Sequence, residues 1–326
     1  MKTKVILLLF AIPLLLSCNR KKKSSYCDNH MVLRYQPVDT INGEMFIIGD
    51  SVPGVVGIVA TPQQLITIHD DVSYYFTAFT YTGRKLLSFG TEGHSANEFL
   101  TNDLLKQYTH DGCLVLNDVN SRQLKFINVR QTISSQRVCI TKVENTVTAS
   151  LAAWNCGEKD NIIIQQLPNN FMLLRTGEKY KMKMELYESF SPSFPIYQPL
   201  LCVDKAGENI AMPMIYMNQI NFYSFKDEKR KSVSMYVNAH SPNEGSTHTY
   251  YCSVCTDGSL IYALYMDQEE SEAYSTPKSM EIHVFDYNGN IKRVLACPQY
   301  IVDIDCDTDK HLYGLDIDGN IYRYEI

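Results

Sequence analysis

The chain has 326 residues, a formal net charge of −6 and a sequence pI of about 5.8, with 45% hydrophobic and 20% charged residues. These are globular values that exclude a disordered chain, and the acidic balance gives no basic face for nucleic acid. The 22 Tyr and 13 Phe, against a single Trp, favour half-buried pleated surfaces and an all-β fold.

The first residues read as a targeting segment. Lys2 and Lys4 form a short basic region, and Val5 to Leu16 is an apolar run too short to span a bilayer as a permanent helix. Leu15-Leu16-Ser17-Cys18 closes that run and resembles the lipobox of bacterial lipoproteins. The resemblance implies cleavage after Ser17, lipidation of Cys18 and anchorage to a membrane. Loss of residues 1–17 removes Lys2 and Lys4 and takes the net charge to −8. Residues 18–30 are then a lipidated cysteine and a polar tether, basic from Arg20 to Lys23 and without apolar periodicity. Because the tether is basic, the expected site is the outer membrane, facing the periplasm. Residues 31–326 are expected to form one domain.

From residue 51 short strand-like runs alternate with turn signals. Four runs, Val55–Ala60, Leu65–His69, Tyr74–Thr80 and Arg84–Phe89, form a first set. Leu104–Thr109, Cys113–Asp118, Gln123–Val129 and Ile133–Ile140 form a second. A third has Ala149–Trp154, Asn161–Gln166, Phe171–Thr176 and Lys181–Tyr187, and a fourth Leu200–Asp204, Asn209–Tyr216, Ile220–Phe225 and Ser232–Val237. The fifth, Thr249–Thr256, Ser259–Met266, Met280–Asp286 and Asn290–Ala296, holds an acidic insertion, Asp267 to Ser279. The last shows only three strands, Tyr300–Cys306, His311–Asp316 and Asn320–Glu325. The 276 residues from 51 to 326 divide into six units of about 46, the length of a propeller blade. The segment Met31 to Ile48 is expected to supply the missing strand and close the ring.

Between the first two sets lies Phe89-Gly90-Thr91-Glu92-Gly93-His94-Ser95-Ala96-Asn97-Glu98-Phe99-Leu100, an ordered loop between strands that do not pair as a hairpin. It resembles the FG-x-x-G-x-G-P-x-E-F linker between blades of six-bladed β-propellers, with Ala96-Asn97 standing where Gly-Pro is usual. Asn117-Asp118-Val119-Asn120-Ser121-Arg122 likewise resembles the D-x-x-N-x-R turn of NHL-type repeats, with a structural role expected. Together these features resemble the TolB-like propeller lipoproteins of Gram-negative bacteria. The resemblance implies an all-β, six-bladed propeller of four antiparallel strands per blade.

Chemistry-bearing motifs are few. Cys252-Ser253-Val254-Cys255 has redox or metal spacing, but its flanks, His248 to Thr256, read as a strand, and no second pair completes a zinc site. Buried small apolar cysteines are the simpler reading, with a disulfide left open. Asp303, Asp305, Asp307 and Asp309 alternate, yet an EF-hand count from Asp305 places Lys310 and Asp316 where Gly and Glu are required. A solvated strand end and turn is expected there, with weak divalent binding the alternative. The eight histidines show no His-Glu-x-x-His spacing, and no nucleophile elbow or phosphate loop is present. No cofactor is implied.

Two functions remain. One is a membrane-anchored envelope module that binds a protein, peptide or glycan. The other is a metal-assisted hydrolase or lyase, which needs carboxylate, His and Asn side chains from three blades at one channel mouth. In a propeller, blade-to-blade linkers and the loops joining second to third strands share a face. That places Glu92, His94, Arg122, His240, Glu244, Glu269, Glu270 and Glu272 on one rim as candidate ligand-binding residues.

Overall fold

The structure is a computed structural model that describes residues 27–34, 36–70, 73–106, 112–145, 200–236, 248–273, 275 and 279–326. It also describes, as backbone alone, strands within 152–185. The leader, Cys18, most of the tether, and His240 and Glu244 lie outside the described residues.

Strands consecutive in the chain pair antiparallel within each sheet. β4 (Val55–Ala60), β5 (Leu65–His69), β6 (Phe76–Phe79) and β7 (Lys85–Phe89) make one four-stranded sheet. The next has three, β8 (Cys113–Asp118), β9 (Gln123–Asn128) and β10 (Ile140–Asn145), and the next four, β11 (Ala152–Cys156), β12 (Ile162–Leu167), β13 (Phe171–Thr176) and β14 (Lys179–Glu185). β15 (Cys202–Val203) to β18 (Lys229–Met235) and β19 (His248–Thr256) to β22 (Ile291–Cys297) follow, then β23 (Ile301–Cys306), β24 (His311–Asp316) and β25 (Ile321–Glu325). Among the described residues the strands fall into six sheets, five of them with four or more strands. The architecture is a β-propeller.

Neighbouring sheets pack face to face. Val59, Ile66, Phe76 and Phe99 share a core with Leu114 and Leu116. Ile58 and Leu65, on the other face of the first sheet, share one with Tyr313, Leu315 and Ile321 of the last. First and last sheets are therefore neighbours in space. Each fully buried apolar side chain in these seams contributes about 1.5–3 kcal/mol.

The segment before the first sheet, expected to give one strand, gives three. β1 (His30–Leu33) runs parallel to β18, β2 (Val38–Thr40) parallel to β22, and β3 (Glu44–Ile47) antiparallel to β25. The chain thus lays an edge strand on each of three successive sheets. The last sheet has the order β23-β24-β25-β3.

The second set departs furthest from its sequence reading. Ile133–Ile140, expected as a strand, begins inside helix α1 (Val129–Ser135). The Asn128 side chain caps that helix by accepting from the Gln131 amide (3.0 Å), and Gln136 ends it in the left-handed conformation. Outer strand β10 starts only afterwards, at Ile140. Leu104–Thr109 is reduced to a stub: Leu104 bridges Leu116, the Leu105 amide donates to Val115 O (2.8 Å), and residues 107–111 lie outside the described ones. The stub nevertheless occupies the innermost position beside β8.

The linker from Phe89 to Leu100 is held from both ends. The Phe99 amide donates to Thr91 O (3.0 Å) and the Gly93 amide to Phe99 O (3.1 Å). Gly90 takes φ +79°, and a Cβ there would meet the Phe76 ring at 2.8 Å, so glycine is required. Phe99 is fully buried against Phe76. Beneath it, Lys125 pairs with buried Asp118 (2.8 Å) and donates to Glu98 O (2.8 Å). Recurrent Asp turns close other strand pairs, as where Asp204, Asp286 and Asp316 each accept from the amide and the side chain of Asn209, Asn290 and Asn320.

Candidate functional site

Inner strands of four sheets meet around one charged knot. Lys106, at the end of the stub, donates to Ser253 Oγ (2.7 Å) on β19 and to Ile304 O (2.6 Å) on β23, and forms an ion pair with Asp303. Ser253 Oγ donates in turn to Asp303 Oδ1 (2.7 Å). From the first sheet, the Ile58 amide donates to Asp303 Oδ2 (2.9 Å) and the Ala60 amide to Asp305 Oδ2 (2.8 Å). Two carboxylates on β23 therefore satisfy backbone donors of β4, where last and first sheets adjoin. Burial pulls the Lys106 pKa down, but Asp303 and Asp305 outweigh it and hold the ammonium above its ordinary value. Burial raises Asp305 to about 7, against the opposing effects of Lys106 and the Ala60 and Cys306 amides.

Asp303 and Asp305 thus correct the sequence reading of a solvated strand end. Asp305 and Asp307 are buried. Asp307 accepts from the His311 amide (2.9 Å) and the Tyr313 hydroxyl (3.1 Å), holding the turn that follows.

Beside the knot lies a cavity of about 680 Å³. Its wall includes Asp305, Cys306, Cys255 and Cys202, and its mouth Lys205, Asp257 and Lys310. The mouth residues belong to turns between first and second strands of their sheets. Cavity and rim candidates are therefore on opposite faces. Among the described residues, carboxylates from three sheets line the cavity, but no His or Asn does. Asp204 and Asp257 are bound within their own turns, Asp257 Oδ1 accepting from the Leu260 amide (2.7 Å).

The cysteines of the described residues are all free thiols. Burial pushes Cys252 and Cys202 up to about 12 and Cys255 well above its ordinary value. In Cys306 the bond from Cys255 lowers the pKa, but burial and Asp305 raise it further, leaving it elevated. Burial thus disfavours the free thiolates, and no disulfide joins Cys252 to Cys255. β19 spans His248–Thr256, the strand read from sequence.

Of the rim residues, Glu92 and His94 are exposed on the linker after β7. Arg122 is exposed in the β8–β9 turn, at φ 56°. Glu269 ends β20 (Leu260–Glu269), and Glu270 and Glu272 lie in the short helix α2 (Glu270–Ala273). His248, which sequence reasoning passed over, is held between Asp267 (2.9 Å) and Glu269 (3.2 Å). Below it His283 is buried, bonded to Tyr251 (3.1 Å) and Glu281 (3.1 Å) and stacked on Tyr265. Lys106 was also missed: it fell inside an expected strand, and nothing in its spacing marks it.

No protein-family model and no curated protein matches the chain. A solved member of the duf4221 family from Bacteroides vulgatus is similar with TM-score 0.58 and 12% identity, over 88% of this chain and 98% of that one. A streptogramin B lyase structure is similar with TM-score 0.49 and 12% identity, over 87% and 97%. A chain of the mitotic checkpoint complex gives TM-score 0.48 and 11% identity, over 90% and 95%. At such identities the likeness reaches the fold and stops there: the chain is a β-propeller.

Proposed function

We propose that the protein is a lipid-anchored envelope binding module of the TolB-like kind. In this reading it is a six-bladed propeller closed by β3, tethered through Cys18 to the outer membrane and facing the periplasm. The observation that carries the binding role is the cavity beside the Lys106 knot. Lys106, Asp303 and Ser253 satisfy one another beside a hollow of mixed polar and apolar lining. A concave, largely preformed hollow with a few convergent polar groups is the usual form of a ligand seat. Its lining mixes Lys205 and Lys310 with Asp257 and Asp307, which suits a hydroxyl-rich glycan or peptide better than a strongly charged ligand. The hydrolase or lyase alternative draws less support, because the cavity carboxylates are bound in turns and to backbone amides.

A second reading puts the partner on the opposite rim, favoured by His248 fixed between Asp267 and Glu269 beside the acidic insertion. Arrays of envelope glycans and peptides probed with the purified protein separate the two. Loss of binding in Lys310→Glu with Asp257→Lys, and its retention in Glu269→Lys with Glu272→Lys, is the expected outcome. The reverse pattern moves the partner to the rim, and hydrolysis of an arrayed ligand overturns the module in favour of the enzyme.

A further inference from the structure

Cys255, Cys306 and Asp305 are all buried, and one ligand atom from each lies within 4.8 Å of the others. Cys255 comes from β19 and the other two from the end of β23, so two adjacent sheets supply the group. All three line the cavity. We propose that this group is a binding site for a soft divalent cation of the zinc class, with two sulfur ligands, one carboxylate ligand and an open position toward the cavity.

Several features fit that cation. Thiolate sulfur selects zinc-class ions over magnesium or calcium, and bonds of about 2.3 Å to sulfur and about 2.0–2.2 Å to oxygen need only a modest contraction of the group. The carboxylate is already oriented: the Ala60 amide donates to Asp305 Oδ2 (2.8 Å) and the Cys306 amide to Oδ1 (2.9 Å). Such outer contacts fix ligand geometry before the metal arrives. Charge also balances. Binding releases one proton from each thiol, so a dication and two thiolates replace two neutral thiols with no net change. Lys106, the nearby ammonium, is paired with Asp303. Three protein ligands and one open position form the coordination pattern of zinc sites that hold a water or a substrate atom. The site is independent of whether the cavity seats a glycan or a peptide.

The reduced, EDTA-treated protein titrated with Cd²⁺ tests this, with thiolate-to-metal charge-transfer absorption as the readout. One Cd²⁺ per chain with that absorption is expected, together with a rise in melting temperature. Asp305→Asn should retain the band and weaken binding by about 10-fold or more. Cys255→Ser and Cys306→Ser should each weaken both band and affinity, while Cys139→Ser, remote from the cavity, should change neither. Melting in EDTA reports whether each variant folds, and the wild-type titration decides the matter if one does not. Absence of the band in wild type, or its survival when Cys255 and Cys306 are both replaced by Ser, overturns the proposal.

Discussion

His283 shows how one buried side chain sets a response to acid. Burial lowers its pKa from 6.5, and Glu281 only partly restores it. Tyr251 and Tyr265 pack around the ring, and Tyr236 bonds the same Glu281 carboxylate (2.6 Å). The unfolded chain therefore takes up a proton near pH 6.5 that the folded chain refuses. This contribution to stability is full above that pH and shrinks as pH falls below it, by at most about 1.4 kcal/mol per pH unit. Chemical denaturation from neutral pH down to about pH 5 should show a shallower decline in His283→Gln than in wild type. Equal slopes would remove His283 from the account. At this scale the sequence was silent, because a lone histidine in a strand looks the same whether it faces solvent or three tyrosines.

At the scale of elements, β1, β2 and β3 are the informative case. Each is three or four residues long, and each covers an outer edge that would otherwise present unpaired backbone groups. A chain beginning at residue 52 should unfold less cooperatively than the full domain, or aggregate. Matching melting curves for the two would show that these strands add nothing to stability. β4, β5, β8, β13, β21 (Met280–Asp286) and β24 span the residues their apolar runs and bounding turns indicate. The exception, α1, hung on Asn128, whose side chain serves a turn and a helix cap equally well; Val129 and Thr132 on the buried face decided for the helix. The N-terminal segment was legible as a pairing strand but not as three of them, since parallel pairing with β18 and β22 leaves no local signal.

For the whole molecule, the fold was legible because strand runs and turns recur at a regular length, whereas the site was not. The Lys106 knot joins residues 147 and 197 positions apart, and no spacing within one strand reveals a partner so distant. The anchor stands on different ground, resting on Leu15 to Cys18 alone. Cells expressing Cys18→Ala should release the protein from the membrane fraction, since acyl chains in combination hold a protein that one chain binds only marginally. Retention of the variant at wild-type levels would end the lipoprotein reading.

The path of β1 to β3 also constrains how the molecule is made. These strands are synthesised first, yet His30 pairs with Ser232, Val38 with Val294 and Ile47 with Ile321, contacts of very high sequence separation. Each of these strands therefore lacks its mate until a distant strand has emerged: β1 until β18, β2 until β22 and β3 until β25. Folding of such topologies is slow because loop closure is costly before the distant pairing rewards it. Registration of β3 on β25 is accordingly the late event of assembly, and a chain stalled before residue 321 would leave all of β3 without a mate.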